Sequence, residues 1–106
     1  MTYTRKGGIV LMIISFADKE TEKIFNQEYS RKLPLNIQKN DLHKLISLNA
    51  AQSIKELVLP TSNHLEKLVG DLENKWSIRI NDQWRIVFTP SSDWKQFYDV
   101  AIIDYH

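Results

Sequence analysis

Two arginines, Arg79 and Arg85, stand in one short stretch, WSIRINDQWRIVF, from Trp76 to Phe88. A guanidinium keeps its charge at any physiological pH and offers a planar fork of N–H donors, so two on one hairpin suit the binding of an oxyanion. An exposed sheet face also carries arginines for solubility alone, and a nearby carboxylate such as Asp104 or Glu73 could neutralise either of them. Three histidines, His43, His64 and His106, have no metal-ligand spacing. The sequence closes on a carboxylate, a phenol and an imidazole in a row, Asp104-Tyr105-His106.

For the arginines to act together, a hairpin must set them side by side. Trp76, Ile78 and Ile80 share one face of a strand, and Trp84, Ile86 and Phe88 share one face of the next. Both apolar sets belong in the core, and directly opposed residues of a tight hairpin share a face, so the loop between them needs an odd number of residues. Asn81-Asp82-Gln83 meets that condition with turn-forming residues. Pairing then runs Ile80 with Trp84, Ile78 with Ile86, and Arg79 directly opposite Arg85. Like charges so placed cost up to ~1 kcal/mol, so replacing either arginine is expected to leave stability level or raise it.

The other elements follow from capping and periodicity. An apolar run from Ile9 to Phe16 reads as a buried first strand, although the basic residues before it imitate a signal peptide. The run is far shorter than the ~20 residues that span a bilayer. Asp18 suits a helix N-cap, with Glu20 and Glu22 in the first turn and an end near Tyr29. A second helix follows, with Pro34 in its first turn and Leu42, Leu45 and Ile46 at i, i+3 and i+4. Ile54 to Leu72 reads as a connector punctuated by Pro60 and Gly70. Strands are expected at Trp76 to Ile80, Trp84 to Thr89 and Phe97 to Tyr105. The whole is an α+β fold, a two-helix hairpin packed on a mainly antiparallel four-stranded sheet.

At 106 residues the chain has room for one domain and one core, with Met12 as an alternative start that would make Met1 to Leu11 an extension. It contains no cysteine, which excludes a disulfide framework and fits a cytoplasmic setting. Fourteen Lys and Arg against thirteen Asp and Glu give a net charge of +1, so any affinity for nucleic acid must come from a local patch.

The segments RKLP, LNAA, HLEKLVGD, WSIRINDQWRIVF and the ending VAIIDYH, in that order, closely resemble the HigB toxins of the RelE/ParE superfamily, from about Met12 to His106. The resemblance implies a RelE-like, microbial-ribonuclease-like fold. It implies a bacterial type II toxin that cleaves messenger RNA on the translating ribosome, needs no cofactor, and is silenced by a HigA-like helix-turn-helix antitoxin. It puts the phosphate-contacting arginine at Arg85 and assigns Asp104, Tyr105 and His106 to the site. A lysine common in the family just before GD is Val69 here, with Lys67 or Lys75 as substitutes. A ParE-like toxin acting on DNA gyrase, or an inactive module that only binds antitoxin, would share the fold without needing DYH.

Metal-free RNA cleavage uses the 2′-hydroxyl as nucleophile on its own phosphate. The protein must deprotonate it, neutralise the phosphoryl oxygens and protonate the leaving 5′-oxygen. Arg85, helped by Arg79, suits the second task. His106 suits the third, because an imidazole titrates near ~6.5, and Asp104 with the terminal carboxylate favours its charged form. His64 and Glu66 are both candidates for the base, and Tyr105 could stack a nucleobase or steady the phosphate. If His106 is the acid, His106→Ala abolishes toxicity while the thermal midpoint hardly moves, since an end residue packs few neighbours. A fully toxic variant would return the ending to a solvated chain terminus.

Overall fold

The turn at Asn81-Asp82-Gln83 closes as its residue count requires. Asn81 Oδ1 accepts from the backbone N–H of Gln83 and of Trp84, both at 2.9 Å, and the Ile80 N–H donates to the Trp84 carbonyl at 2.9 Å. It joins β2, Trp76–Arg79, to β3, Trp84–Pro90, and the register pairs Ile78 with Ile86 and Arg79 with Arg85, as expected. The computed structural model describes residues 13–50, 55–58, 63–68 and 74–104. Tyr105, His106, Glu73, Val69 and the expectations for Met1 to Met12 lie outside the described residues.

The sheet has four antiparallel strands in the order β1-β2-β3-β4, with β1 at Glu66–Lys67 and β4 at Phe97–Asp104. Its fourth strand, β1, lies inside the expected connector, which also holds a one-turn helix, α3, at Lys55–Val58. The described end of the apolar N-terminal run, Ile13 to Phe16, does run beside β4, but as isolated parallel bridges, Ile13 to Phe97 and Phe16 to Val100. Asp99, between those two contacts, takes a left-handed φ of 53° and interrupts the ladder there. Ser15 Oγ accepts from its N–H at 2.9 Å.

The first helix, α1, spans Lys19–Phe25, with Asp18 extended at its N-cap and accepting from Thr21 N–H at 2.7 Å. It stops short of the expected end at Tyr29 because Gln27 turns left-handed, at φ 63°. Gln38 clamps the loop that follows, bonding both backbone groups of Ser30 and the carbonyl of Leu33. The second helix, α2, spans Leu35–Ala50 and buries Ile37, Asp41, Leu45, Leu48 and Asn49. That stripe is rotated from the expected one. Leu45 is in it, Leu42 is half-buried and Ile46 faces outward, because the packed face follows i, i+4, i+8 from Ile37.

Both helices cover the face of the sheet carrying Ile78, Ile80, Ile86 and Phe88, and Phe16, Phe25, Phe97 and Val100 complete the core. Each fully buried side chain of this size contributes roughly 1.5–3 kcal/mol. Polar bonds fix the helices to strands. Ile102 N–H donates to Thr21 Oγ1 at 2.9 Å, and Ile13 N–H to Asn49 Oδ1 at 3.2 Å. Trp94 closes one end, edge-on to Trp76 with ring centroids 5.0 Å apart.

Asp41 breaks the apolar pattern, being fully buried with neither carboxylate oxygen hydrogen-bonded among the described residues. Burial pushes its carboxyl up to about 7. The unfolded chain therefore ionises first as pH rises from about 4, so this group's drag on stability grows to about pH 7 and stays constant above. Asp41→Asn is expected to raise stability at pH 7 by ~1–2 kcal/mol, allowing for screening by water, and to flatten the stability–pH curve between pH ~4 and ~7. Thermal unfolding of both proteins across that range checks it, and parallel curves would contradict it.

Candidate functional site

Strand alternation puts Ser77, Arg79, Arg85 and Val87 on the face turned away from the helices. Arg85 is nonetheless only 7% exposed. Its Nε donates to Ser77 Oγ at 2.7 Å and its Nη2 to the backbone carbonyl of His64 at 2.5 Å, and Glu66 Oε1 stands 4.0 Å from Nη2. A guanidinium carries five N–H donors, and the bonds to Ser77 and His64 set the plane of the fork. Beside it Ser77, Val87 and Ala101 make a buried cross-strand row of small and medium side chains. That row leaves room for the long arginine to lie along the sheet.

Arg79 stands directly opposite, yet its guanidinium turns to the loop, where Nη2 meets Asp82 Oδ1 at 2.6 Å. The Asp82 side chain is 95% exposed, so water screens that pair. Separate partners thus hold the two opposed arginines. The expectation that removing either one relieves strain does not carry over to Arg85, whose loss would orphan a buried hydroxyl and a buried strand face.

His64 and Glu66, the two candidate bases, both come to Arg85. His64 is exposed and left-handed at φ 46°, a conformation that costs a residue with a Cβ about 1 kcal/mol or more, while its carbonyl accepts from Arg85. Glu66 is paired with Ser77 in the β1–β2 register and so shares the arginine face. Lys67 is paired with Trp76, exposed, and belongs to the other face. Lys75 is half-buried and donates to Thr89 Oγ1 at 3.0 Å on the arginine face. Asp104 stands opposite Trp84, exposed and accepting from Gln83 Nε2 at 3.0 Å, so it leaves the sheet on the face away from Arg85. Tyr105 and His106 lie outside the described residues.

Ser77 is the site residue that reading the sequence missed. A period of two places it on the face of Arg79, and a small polar residue among large apolar ones was the available signal. Replacing Arg85 by Gln is expected to cost ~2–4 kcal/mol, replacing Ser77 by Ala ~1 kcal/mol, and replacing Arg79 by Gln less than ~1 kcal/mol. Denaturant unfolding of the three variants checks the order, and an Arg85→Gln protein as stable as the parent would contradict it.

The family profile of the HigB-like toxins, described as the RelE-like toxin of type II toxin-antitoxin system HigB, matches residues 14–106. The chain is 36% identical over 78 residues to Toxin HigB-1 of Vibrio cholerae serotype O1, an overlap covering 73% of this chain and 82% of that one. It is 41% identical over 58 residues to an uncharacterized protein of Haemophilus influenzae, covering 54% of this chain and 56% of that one. Among solved structures, a chain of the YoeB-YefM complex from Staphylococcus aureus superposes with a TM-score of 0.50 at 22% identity, covering 91% of this chain and 97% of that one, which is a likeness of fold. With its profile match spanning nearly the whole sequence and a RelE-like α+β fold beneath it, the chain belongs to the HigB-like family of type II toxin-antitoxin system toxins.

Proposed function

We propose that this toxin is a metal-independent endoribonuclease that cuts messenger RNA on the translating ribosome, and that a HigA-like helix-turn-helix antitoxin silences it. The observation that carries the reading is the Arg85 guanidinium oriented by Ser77 and the His64 backbone carbonyl, with the Glu66 carboxylate 4.0 Å away. Arg85 neutralises the phosphoryl oxygens as the 2′-oxygen attacks. His64 or Glu66 takes the 2′-hydroxyl proton. The bond from phosphorus to the 5′-oxygen breaks, leaving a cyclic phosphate on one fragment, and His106 protonates the departing oxygen. Tyr105 steadies the bound nucleotide. Asp104, on the far face, contributes a negative charge at the end of β4 that favours the His106 imidazolium. Lys75 extends the cationic face along the sheet, while Lys67 meets RNA from its edge.

The antitoxin proposal is supported by family membership, the matching family being that of a type II toxin-antitoxin system. No helix among the described residues is long and apolar enough to cross a membrane.

A net charge of +1 gives little electrostatic hold on free RNA, so the ribosome is expected to position the substrate. Purified protein should cut ribosome-bound messages, seen as new transcript ends, and leave naked single-stranded RNA intact at physiological salt. Efficient cleavage of naked RNA would contradict this, and arrested growth with intact transcripts would favour a gyrase-directed toxin. Arg85→Gln is expected to lose about a hundredfold or more in cleavage when assayed where the variant remains folded. Arg85→Lys keeps the charge without the bidentate fork and should recover only part of it.

A further inference from the structure

His64 is held in left-handed backbone, at φ 46°, and that conformation costs free energy in any residue with a Cβ. The chain is pinned on either side of it. After it, Leu65 packs against the core and Glu66 enters the β1–β2 ladder opposite Ser77. Before it stands Asn63, 5% exposed, with both ends of its amide in use. Its Nδ2 donates to the Leu57 carbonyl of α3 at 3.2 Å, and its Oδ1 accepts from the Lys44 ammonium of α2.

These partners fix which way the amide lies, because turning it over would set Nδ2 against an ammonium and Oδ1 against a carbonyl. Lys44 is half-buried, and burial pushes its ammonium below the ordinary lysine value. A cation short of water makes a strong hydrogen bond, so this arm of the clamp is costly to break. The two anchors, Asn63 and Glu66, leave His64 and Leu65 to redirect the chain between them. Leu65 is committed to the core, and His64 takes the turn. Its carbonyl is then the acceptor of Arg85 Nη2 at 2.5 Å. Each link from α2 to the guanidinium is a hydrogen bond or a peptide unit, running Lys44 to Asn63, Asn63 to His64, and His64 to Arg85.

We propose that Asn63 is a positioning residue for Arg85: its amide, gripped between Lys44 of α2 and Leu57 of α3, holds His64 left-handed and so aims the His64 carbonyl at the guanidinium. Without that grip His64 relaxes to ordinary backbone and its carbonyl swings off Nη2. Nε keeps Ser77, while the outer half of the fork is freed to turn toward Glu66, 4.0 Å away. Asn63 touches no substrate in this scheme. The consequence for cleavage rests on the ribonuclease reading, and the positioning itself does not.

The test is the arginine side-chain proton–nitrogen NMR spectrum of the purified, nitrogen-15-labelled toxin. A guanidinium fixed by hydrogen bonds shows separate Nη–H signals, and a rotating one shows them averaged. The wild type should show separate Arg85 signals, assigned by their absence from Arg85→Lys. Asn63→Ala should average them, and on programmed ribosomes it should lower kcat about tenfold or more with KM nearly kept, as a misplaced catalytic group does. Adding His64→Gly to Asn63→Ala should bring the separate signals back in part, because glycine takes a left-handed φ without the Cβ cost. A loss of packing alone would not respond to that glycine. The double variant is read by NMR only, since it lacks the His64 imidazole. If Asn63→Ala does not fold, Lys44→Met, which keeps the aliphatic stem and removes the ammonium, is read in its place and should loosen the same signals. Averaged Arg85 signals in the wild type, unchanged signals in the folded variant, or no response to the glycine would overturn the positioning role. So would loosened signals with an undiminished kcat. If the signals loosen as expected but the wild type leaves ribosome-bound messages uncut, the ribonuclease reading falls and the positioning role stands.

Discussion

Everything on the sheet depends on the three-residue turn between β2 and β3. Side chains alternate along a strand, so one residue more or fewer in Asn81-Asp82-Gln83 would put the apolar set of one strand opposite the polar set of the other. Asn81 holds the count by accepting from two successive backbone N–H groups, a local bond that needs no tertiary support. From that register two faces follow. One, with Ile78, Ile80, Ile86 and Phe88, is covered by helices, and the other carries Ser77, Arg79 and Arg85.

The second face is built around a charge placed where charge is costly. Burying a guanidinium takes several kcal/mol of hydration away, and the protein answers with a hydroxyl, a carbonyl and a carboxylate at the edge of ion-pair range. The carbonyl comes from His64, a residue in left-handed backbone, so part of the cost is moved into strain in the segment leading to β1. That segment is more than a connector. In four residues it supplies the amide for Lys44, the carbonyl for Arg85, and the carboxylate of Glu66. Asp41 shows the contrasting case, a buried carboxylate left without such partners among the described residues and so driven toward its neutral form.

Much of the fold was legible because its signals are local. Asp18 caps α1 through its own side chain, and the strands of WSIRINDQWRIVF announce themselves by alternation. The errors fall where local signals are silent. The end of α1 depends on one left-handed glutamine, and the buried stripe of α2 depends on which side the sheet lies, which Leu42, Leu45 and Ile46 alone do not reveal. β1 is two residues long, too short for any periodicity, and exists only because β2 offers it an edge.

The sequence by itself determined the class of fold, the opposition of Arg79 to Arg85 and, through motifs spread along the chain, the HigB resemblance, since each rests on residue order, turn length or period. Only the tertiary structure decided what the arginines do there. Burial, and partners drawn from residues more than a dozen positions away, made Arg85 an embedded fork beside His64 and Glu66 and left Arg79 on a solvated turn. It also bonded Lys44 of α2 to Asn63, the residue before His64. Hydration and long-range hydrogen bonding depend on which segments meet in space, and no spacing along the chain carries that information.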